Sequence, residues 1–418
     1  MERGYLDIRT EDAFNANAKI IENLIDEYLD GPDPVIQSKN FHIGTDEYDK
    51  NYGEQMRKWT DHFAKYVNAK GYQSRAWASL GKNGFNGTTP VTSDIVMNLW
   101  APYWADVHET YNAGYDVINT YGGWLYIVPA ANAGYPDRFD TKKLYEKFEV
   151  NDFKSGRNPS GEAIMPVAHP QTKGASFALW NDMTSFRTGF SWFDIHDRIK
   201  DAVSLVSEKT WYGEDDNGQT YADFRARIDA LQNKVPNANP GRYVESDGEA
   251  IAEYTFEDAG KVVKDASANG YDLSLTNAIV SDGAVKFDGN GYMTLPMSSI
   301  GYPYSVFMTL TLDELNENAT LFNGKDGTFY VNKLGKLSYA RDQYEFTFNY
   351  TPKTNKRISL ALVCDNKNLT LYVDGNLIGT GKLTNTTIAG KTQQSSTFVL
   401  PVEKVFENTK GTLENVSI

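Results

Sequence analysis

The sequence predicts two folds in succession, an α/β region built on parallel strands and then an all-β sandwich. Helix-like and strand-like periods alternate through the first half, which is the pattern of strand–helix units around a parallel sheet. From Ile251 the helical periods stop, and short alternating runs such as LTLYVDGNLIGTG replace them. The 418 residues also exceed what one hydrophobic core usually organises. We therefore expect domains at 1–233 and 250–418, with a Pro- and Asn-rich linker at 234–249.

Individual elements of the first half follow from apolar spacing. Apolar residues at helical intervals follow Thr10, so residues 11–29 are predicted to form a helix capped by that threonine. A second apolar stripe, from Tyr52 to Tyr66, predicts a helix that ends near Gly71. Short apolar runs predict five strands, at NFHIG (40–44), SRAW, DIVMNLW, YDVINTYG and GASFALW.

Five parallel strands do not close a barrel. A (β/α)8 TIM barrel has eight strands, and an open barrel would leave unpaired sheet edges, which proteins normally cover. We therefore interpret the first region as an incomplete TIM barrel, about strands 4 to 8. On this interpretation the natural polypeptide extends upstream of Met1.

Composition restricts the partners and cofactors. The formal net charge of −14 disfavours nucleic acid, which proteins bind with clustered Lys and Arg. No apolar run approaches the roughly 18 residues that a membrane-spanning helix needs. The single cysteine, Cys364, cannot form an intrachain disulfide, and the histidines show no metal-ligand spacing. We expect no cofactor and no metal.

One motif carries the chemistry, the segment HIGTDEY at 42–48. It places Asp46 and Glu47 directly after a buried strand, at the end where barrels build their active sites. Two adjacent carboxylates beside apolar residues are costly to bury, so a fold that keeps them there normally uses them. The alternative is a solvated loop or a helix cap, which adjacent acids at strand ends commonly form.

The segment FHIGTDEY resembles the H-[IL]-G-x-D-E signature of family 20 glycoside hydrolases, the β-N-acetylhexosaminidases and lacto-N-biosidases. The resemblance extends from YLDIRTEDAF at residues 5–14 to WNDM at 180–183, in matching order and spacing. The family usually has Gly at the position of Thr45. The resemblance implies retaining, substrate-assisted hydrolysis, in which the 2-acetamido group of the substrate is the nucleophile. Glu47 would act as general acid and base, and Asp46 would orient the acetamido group.

The resemblance also implies roles for later strand ends. Tyr126 in WLYIVP would donate a hydrogen bond to the acetamido oxygen. Trp180 would close the acetamido pocket, and Asp182 would bind sugar hydroxyls. Val128 stands where the family often has Asp, which leaves contacts there in doubt. Further candidates for the substrate pocket, from their positions near strand ends, are Trp77, Trp100 and Trp124, for which simple packing is the alternative. His42, just before the acids, is also a candidate and could tune them; the alternative is a histidine that forms a structural hydrogen bond.

The C-terminal region resembles laminin-G-like and concanavalin-type jelly rolls, through YTFEDAGKVVKDASANGYDLSL, AVKFDGNGYMTLP and the run quoted above. Such modules bind glycans in some enzymes and act as spacers in others, and calcium stays an open question. The family pattern would continue past the final GTLENVSI, so we expect truncation there as well.

The substrate is therefore expected to be an oligosaccharide or glycoconjugate with β-linked N-acetylhexosamine, and the enzyme to be bacterial and extracellular or on the cell surface. Two alternatives stay open. A lacto-N-biosidase would release the disaccharide lacto-N-biose from a wider pocket. An inactive carbohydrate-binding protein would bind sugars with the same aromatic side chains but would not hydrolyse them.

Overall fold

The computed structural model describes residues 5–128, 134–153, 163–180, 192–213, 218–232, 234, 244–257, 260–341, 344–365, 368–383, 387–388, 391–392 and 397–418. The chain divides into two compact units. The first comprises Met1–Ile127, Gly134–Trp180 and Asp201–Ala230, and the second comprises Val128–Ala133, Asn181–Lys200 and Leu231–Ile418.

Helices and short strands alternate through the described part of residues 5–232. The helices are α1 (Glu11–Leu29), α2 (Gly53–Ala69), α3 (Val107–Asn112), α4 (Gly122–Leu125), α5 (Thr141–Lys147), α6 (Trp192–Tyr212) and α7 (Tyr221–Gln232). The strands are β1 (Asn40–His42), β2 (Gln73–Trp77), β3 (Val96–Leu99), β4 (Asp116–Asn119), β5 (Tyr126–Ile127), β6 (Thr172–Ala175) and β7 (Ala178–Leu179). None of these helices is long and apolar enough to cross a bilayer.

Local signals in the sequence account for the ends of the first helices. The Thr10 hydroxyl accepts a hydrogen bond from the Ala13 N–H at 3.2 Å, so the predicted cap of α1 is confirmed. After α2 the chain turns at Gly71, whose φ is 84°. Glycine adopts this left-handed conformation without the steric cost that a Cβ would bring.

A parallel sheet organises the first unit. Five strands lie in the order β1-β2-β3-β4-β6, and each neighbouring pair is parallel. β5 pairs with β7, also in parallel. The prediction of a parallel sheet in the first half is therefore confirmed, and the carboxyl ends of its strands lie along one edge.

Along β2, the two faces of this sheet differ in burial. Ala76 of β2 packs with Met97 and Val117 of the next strands in a hydrophobic cluster that also contains Ala64 of α2. The neighbouring residues Arg75 and Trp77 are only half-buried, and they point to the opposite face because side chains alternate along a strand. We call this opposite face the inner face.

The second unit is built from antiparallel strands. They are β8 (Glu253–Thr255), β9 (Val262–Val263), β10 (Leu273–Thr276), β11 (Ile279–Ser281), β12 (Ala284–Asp288), β13 (Tyr292–Thr294), β14 (Ser299–Ile300), β15 (Tyr304–Leu312), β16 (Thr320–Gly324), β17 (Gly327–Val331), β18 (Leu337–Arg341), β19 (Tyr344–Thr347), β20 (Arg357–Cys364), β21 (Leu369–Val373), β22 (Asn376–Thr380), β23 (Lys382–Leu383), β24 (Thr387–Ile388), β25 (Lys391–Thr392), β26 (Leu400–Pro401), β27 (Lys404–Val405) and β28 (Lys410–Ser417).

Two large sheets contain most of these strands. One runs β23-β19-β18-β17-β16-β27-β13-β10-β9; the other runs β11-β12-β28-β15-β20-β21-β22, with β8 paired to β28. Residues of both sheets, such as Leu310 and Tyr339, share one hydrophobic cluster. The predicted change from a parallel to an antiparallel architecture is thus confirmed.

The hairpin between β21 and β22 turns on two residues. Asp374 and Gly375 have φ angles of 49° and 77°, as the favoured two-residue hairpin turn requires of both central positions. Gly375 has no neighbouring atom within 4 Å of an added Cβ, so the backbone conformation alone favours glycine there.

The second unit also holds a buried ion pair. The Arg341 guanidinium donates to the Asp194 carboxylate at 2.8 Å, and both side chains are 2% exposed. Thr397 completes the arrangement, because its hydroxyl donates to Asp194 at 2.9 Å and its carbonyl accepts from Arg341 at 2.7 Å. Each charge is thereby compensated by hydrogen bonds as well as by its counter-charge.

Candidate active site

The predicted acid pair, Asp46 and Glu47, lies on a loop that continues β1 past the carboxyl end of the sheet. We call this segment the acid-pair loop. Backbone hydrogen bonds run from the Ile43 N–H to the Arg75 carbonyl at 2.8 Å and from the Trp77 N–H to the Gly44 carbonyl at 2.9 Å. Beyond that point the backbone turns sharply, with φ angles of 79° at Gly44, 74° at Thr45 and 51° at Glu47. Left-handed conformations are costly for residues with a side chain, and they concentrate at functional sites.

His42 ties its own strand to this loop. Its Nδ1 accepts the Gly44 N–H at 3.1 Å, which requires Nδ1 to be unprotonated and leaves the proton of the neutral ring on Nε2. Although His42 is exposed to solvent, desolvation by the protein atoms around its ring, helped by the positive charge of Arg75, lowers its pKa to about 4. The imidazole is therefore neutral at physiological pH. Its ring centroid lies 4.9 Å from that of Trp77.

Asp46 and Glu47 are both accessible to solvent. Even so, surrounding protein atoms desolvate Asp46 enough to raise its pKa, and the charge of Glu47 adds to the effect. Asp46 is thus reached by solvent although protein atoms occupy part of the space around its carboxylate.

Four aromatic side chains from different strand ends meet beside this loop. Ring centroids of Trp77 and Trp180 are 5.5 Å apart, those of Trp180 and Tyr126 are 5.5 Å apart, and those of Trp77 and Trp100 are 6.5 Å apart. The Trp100 indole N–H donates to the Ala78 carbonyl at 3.2 Å, which fixes that ring. We call Trp77, Trp100, Tyr126 and Trp180 the ring array.

Tyr126 connects the ring array to the acid pair. Its side chain is buried, and desolvation raises its pKa well above the ordinary value, with smaller contributions from Tyr135, Asp46 and Tyr103. The phenol is thus a stable hydrogen-bond donor that lies close enough to Asp46 for the two groups to interact electrostatically. The Trp180 indole N–H is also near this phenol, but it lacks hydrogen-bond geometry to any described residue.

Two sequence-predicted residues are not in this group. Trp124 lies in the helical turn α4 and packs in a different hydrophobic cluster with Leu125 and Leu144. The Lys143 ammonium is 5.5 Å from the centre of its ring. Trp124 follows β4 closely in sequence, but the helical turn directs its ring away from the ring array. Asp182 lies outside the described residues.

Sequence reasoning missed several residues of this region. Tyr135 contacts Tyr126, with ring centroids 5.4 Å apart, and Tyr103 contacts Trp100 at 6.1 Å. Asn98 is buried on the inner face beside Trp77, where it donates to the Thr120 hydroxyl at 2.8 Å. Tyr103 stands three residues after Trp100 in the aromatic run WAPYW, which could have identified it. The sequence around Tyr135 and Asn98 gave no comparable signal.

A separate cavity lies against the covered face of the sheet. Its volume is about 180 Å³, and its walls include Ala78, Met97, Arg57 and Glu109. The Arg57 guanidinium donates to the backbone carbonyl of Thr89 at 2.6 Å. None of the predicted site residues lines this cavity. In the described part of the chain, no three His, Cys, Asp or Glu side chains are placed to share a metal ion.

No protein-family model matches this sequence, and no curated protein matches it. Several solved structures do match this chain. Dispersin B is 20% identical with a TM-score of 0.37, over 49% of this chain and 60% of that chain. The GH20 catalytic modules of the pneumococcal exo-β-D-N-acetylglucosaminidase StrH give 19% identity and a TM-score of 0.37, over 56% of this chain and 55% of that one. Domain 4 of AbnA, a GH43 extracellular arabinanase from Geobacillus stearothermophilus, gives 19% identity and a TM-score of 0.31, over 40% of this chain and 91% of that one.

The structural neighbours of this chain thus include glycoside hydrolases. The chain spans 60% of the Dispersin B chain and 55% of the StrH chain. Identities of 20% or less with TM-scores below 0.4 do not establish membership of a family.

Proposed function

We propose that this protein is a retaining glycoside hydrolase that releases β-linked N-acetylhexosamine from glycans by substrate-assisted catalysis. One observation carries the proposal: ring contacts run from Tyr126 through Trp180 and Trp77 to His42, four residues before Asp46, and the charge of Asp46 contributes to the raised pKa of the Tyr126 phenol. A carboxylate, a phenol that remains protonated and an indole face are the groups that an acetamido arm needs for binding, through its N–H, its carbonyl oxygen and its methyl group.

Glu47 would protonate the glycosidic oxygen while the acetamido carbonyl oxygen attacks C1. The bond from C1 to the leaving sugar breaks, and an oxazolinium ion forms. Asp46 would accept the acetamido N–H and stabilise the positive charge, and Tyr126 would donate to the acetamido oxygen. Glu47, now a carboxylate, would then deprotonate the water that adds to C1, which restores the original anomeric configuration.

The fold gives this proposal a context. We infer that the parallel sheet is part of a (β/α)8 barrel, about strands 4 to 8. The acid-pair loop follows β1, and Trp77, Trp100 and Trp180 stand at or just after the ends of β2, β3 and β7, where barrel enzymes build their sites. We also infer that the antiparallel sheets form a laminin-G-like jelly roll that either binds glycans or spaces the enzyme from its surroundings. An enzyme of this kind would work outside the cell or on its surface.

The test combines hydrolysis with binding. Hydrolysis of 4-nitrophenyl N-acetyl-β-glucosaminide, the corresponding galactosaminide and a chromogenic lacto-N-bioside would be measured with the unmodified chain and with Glu47→Gln. We expect Glu47→Gln to slow turnover by about 10²- to 10⁴-fold, the usual size of general acid catalysis. Glu27→Gln, an exposed position on α1, is the matched control and should leave the rate unchanged.

Binding of a thiazoline mimic of the oxazolinium ion would be measured in parallel by calorimetry. Turnover of the lacto-N-bioside alone would favour the lacto-N-biosidase alternative. Thiazoline binding without turnover of any substrate would favour an inactive carbohydrate-binding protein. If the protein neither bound the thiazoline nor hydrolysed any of these substrates, the proposed function would be wrong.

A further inference from the structure

An exposed tyrosine stands at the outer end of the ring array. Tyr103 is 51% exposed, whereas Trp100 is 8% exposed and Tyr126 is 5% exposed. The Tyr103 ring meets the Trp100 ring at 69°, with centroids 6.1 Å apart. Aromatic side chains therefore continue without a gap from the buried phenol of Tyr126, through Trp180, Trp77 and Trp100, to an open ring at the rim.

The turn that carries Tyr103 is held in place. The Trp104 N–H donates to the Ala101 carbonyl at 2.9 Å, which closes the turn. The Lys50 ammonium donates to the carbonyls of Asn83 at 2.5 Å and Tyr103 at 3.5 Å, and it lies 4.1 Å from the centre of the Trp104 ring. Lys50 thus links the loops that follow β2 and β3 to the segment that carries the acid pair. A rim aromatic that is already positioned can bind a ligand with little further loss of conformational entropy.

We propose that Tyr103 is the stacking platform for the sugar on the leaving-group side of the scissile bond, and that Lys50 is the residue that positions it. This inference rests on the proposed function. The buried rings are suited to enclose the sugar that is cleaved, and the open ring is suited to the apolar face of the next pyranose.

The experiment compares two ligands that differ on the leaving-group side. Affinities would be measured by calorimetry in a Glu47→Gln background, which prevents turnover, for the thiazoline and for N,N′-diacetylchitobiose. The thiazoline has no leaving group, so Tyr103→Ala should leave its affinity unchanged. The same substitution should weaken diacetylchitobiose by about 3- to 12-fold, the loss expected for one aromatic contact. Tyr103→Phe keeps the ring and should retain both affinities.

Lys50→Met should also weaken the affinity for diacetylchitobiose and leave the affinity for the thiazoline unchanged. Lys50→Arg should restore diacetylchitobiose binding. Tyr28→Ala removes a tyrosine that is 45% exposed on α1, and it should change neither affinity. Equal weakening of both ligands by Tyr103→Ala, or unchanged diacetylchitobiose binding, would overturn the assignment of Tyr103 while leaving the proposed function intact. If the unmodified chain did not bind the thiazoline, the proposed function and this inference would both be wrong.

Discussion

His42 Nδ1 accepts the backbone N–H of Gly44 at 3.1 Å, two residues before Asp46. The bond joins the last residue of β1 to the first left-handed residue of the acid-pair loop. An unprotonated ring nitrogen is needed as the acceptor, and the lowered pKa of His42 keeps it available over the physiological range.

The His42 pKa predicts how stability depends on pH. Its folded-state pKa of about 4 lies below the ordinary 6.5, so between these values the unfolded chain binds more protons and stability falls as pH decreases. His42→Asn keeps an acceptor near the Nδ1 position but does not titrate there. We expect the unmodified protein to lose more free energy of unfolding than His42→Asn between pH 7 and pH 4, as measured by urea denaturation. Equal losses would contradict this role.

The Asp46 pKa predicts the opposite dependence. Desolvation by surrounding protein atoms, with the charge of Glu47, raises the folded-state pKa of Asp46 above the ordinary 3.8, so the charged carboxylate destabilises the fold, and this effect is present at neutral pH. Asp46→Asn should therefore raise the melting temperature at pH 7, and the gain should disappear below the ordinary Asp range. Asp33→Asn, at an exposed position, should give no such gain. If Asp46 acts as an anion, kcat/KM should also decline as pH falls through its raised pKa.

The left-handed backbone at Gly44 predicts a separable effect on activity. Gly44 and Gly31 have φ angles of 79° and 99°, and neither has an atom within 4 Å of an added Cβ. Gly44→Ala and Gly31→Ala should each lower the free energy of unfolding by about 1–2 kcal/mol, the cost of the left-handed conformation. Only Gly44→Ala should also lower kcat, because it alone lies on the acid-pair loop. A similar loss of kcat in Gly31→Ala would indicate a general effect of stability.

The buried pair of Arg341 and Asp194 predicts a large loss of stability in the second unit. Arg341→Met would leave the Asp194 carboxylate buried without its counter-charge, at a cost of about 3–5 kcal/mol. Arg357 forms an ion pair with Glu414 in the same unit at 2.7 Å, but its side chain is 61% exposed. Arg357→Met should therefore cost much less than Arg341→Met, because solvent screens an exposed ion pair. Chemical denaturation followed by tyrosine fluorescence would compare the free energies of unfolding of the two variants.

Local chemistry made part of the fold predictable. The Thr10 cap, the turn at Gly71 and the hairpin at Asp374 and Gly375 each depend on a few neighbouring residues, so the sequence contains the whole cause. The meeting of Trp77 and Trp100 was predictable for another reason: they stand at the carboxyl ends of β2 and β3, and neighbouring parallel strands bring these ends to one edge. Tyr126 begins β5 and Trp180 follows β7, and these two strands pair in a separate parallel sheet.

Long-range placement explains what the sequence did not reveal. Trp100 directly follows β3, whereas Trp124 comes five residues after the end of β4, and α4, which begins at Gly122, carries its ring into the cluster with Leu125. The turn that carries Tyr103 is also bound by Lys50, 53 residues away in sequence, whose ammonium donates to the Tyr103 carbonyl. The contact between Lys50 and the Tyr103 turn does not follow from spacing, because it depends on backbone geometry between elements that are distant in sequence.

The position of Asp194 determines where the chain can be cut. A fragment that begins at the predicted linker, 234–249, would contain Arg341 and Thr397 but lack the carboxylate that both contact. Such a fragment would have an uncompensated guanidinium in its interior, and it should be recovered mainly as aggregate. Expression of the antiparallel unit for crystallisation or glycan arrays should therefore retain the segment that contains Asp194, or replace Arg341 with an apolar residue.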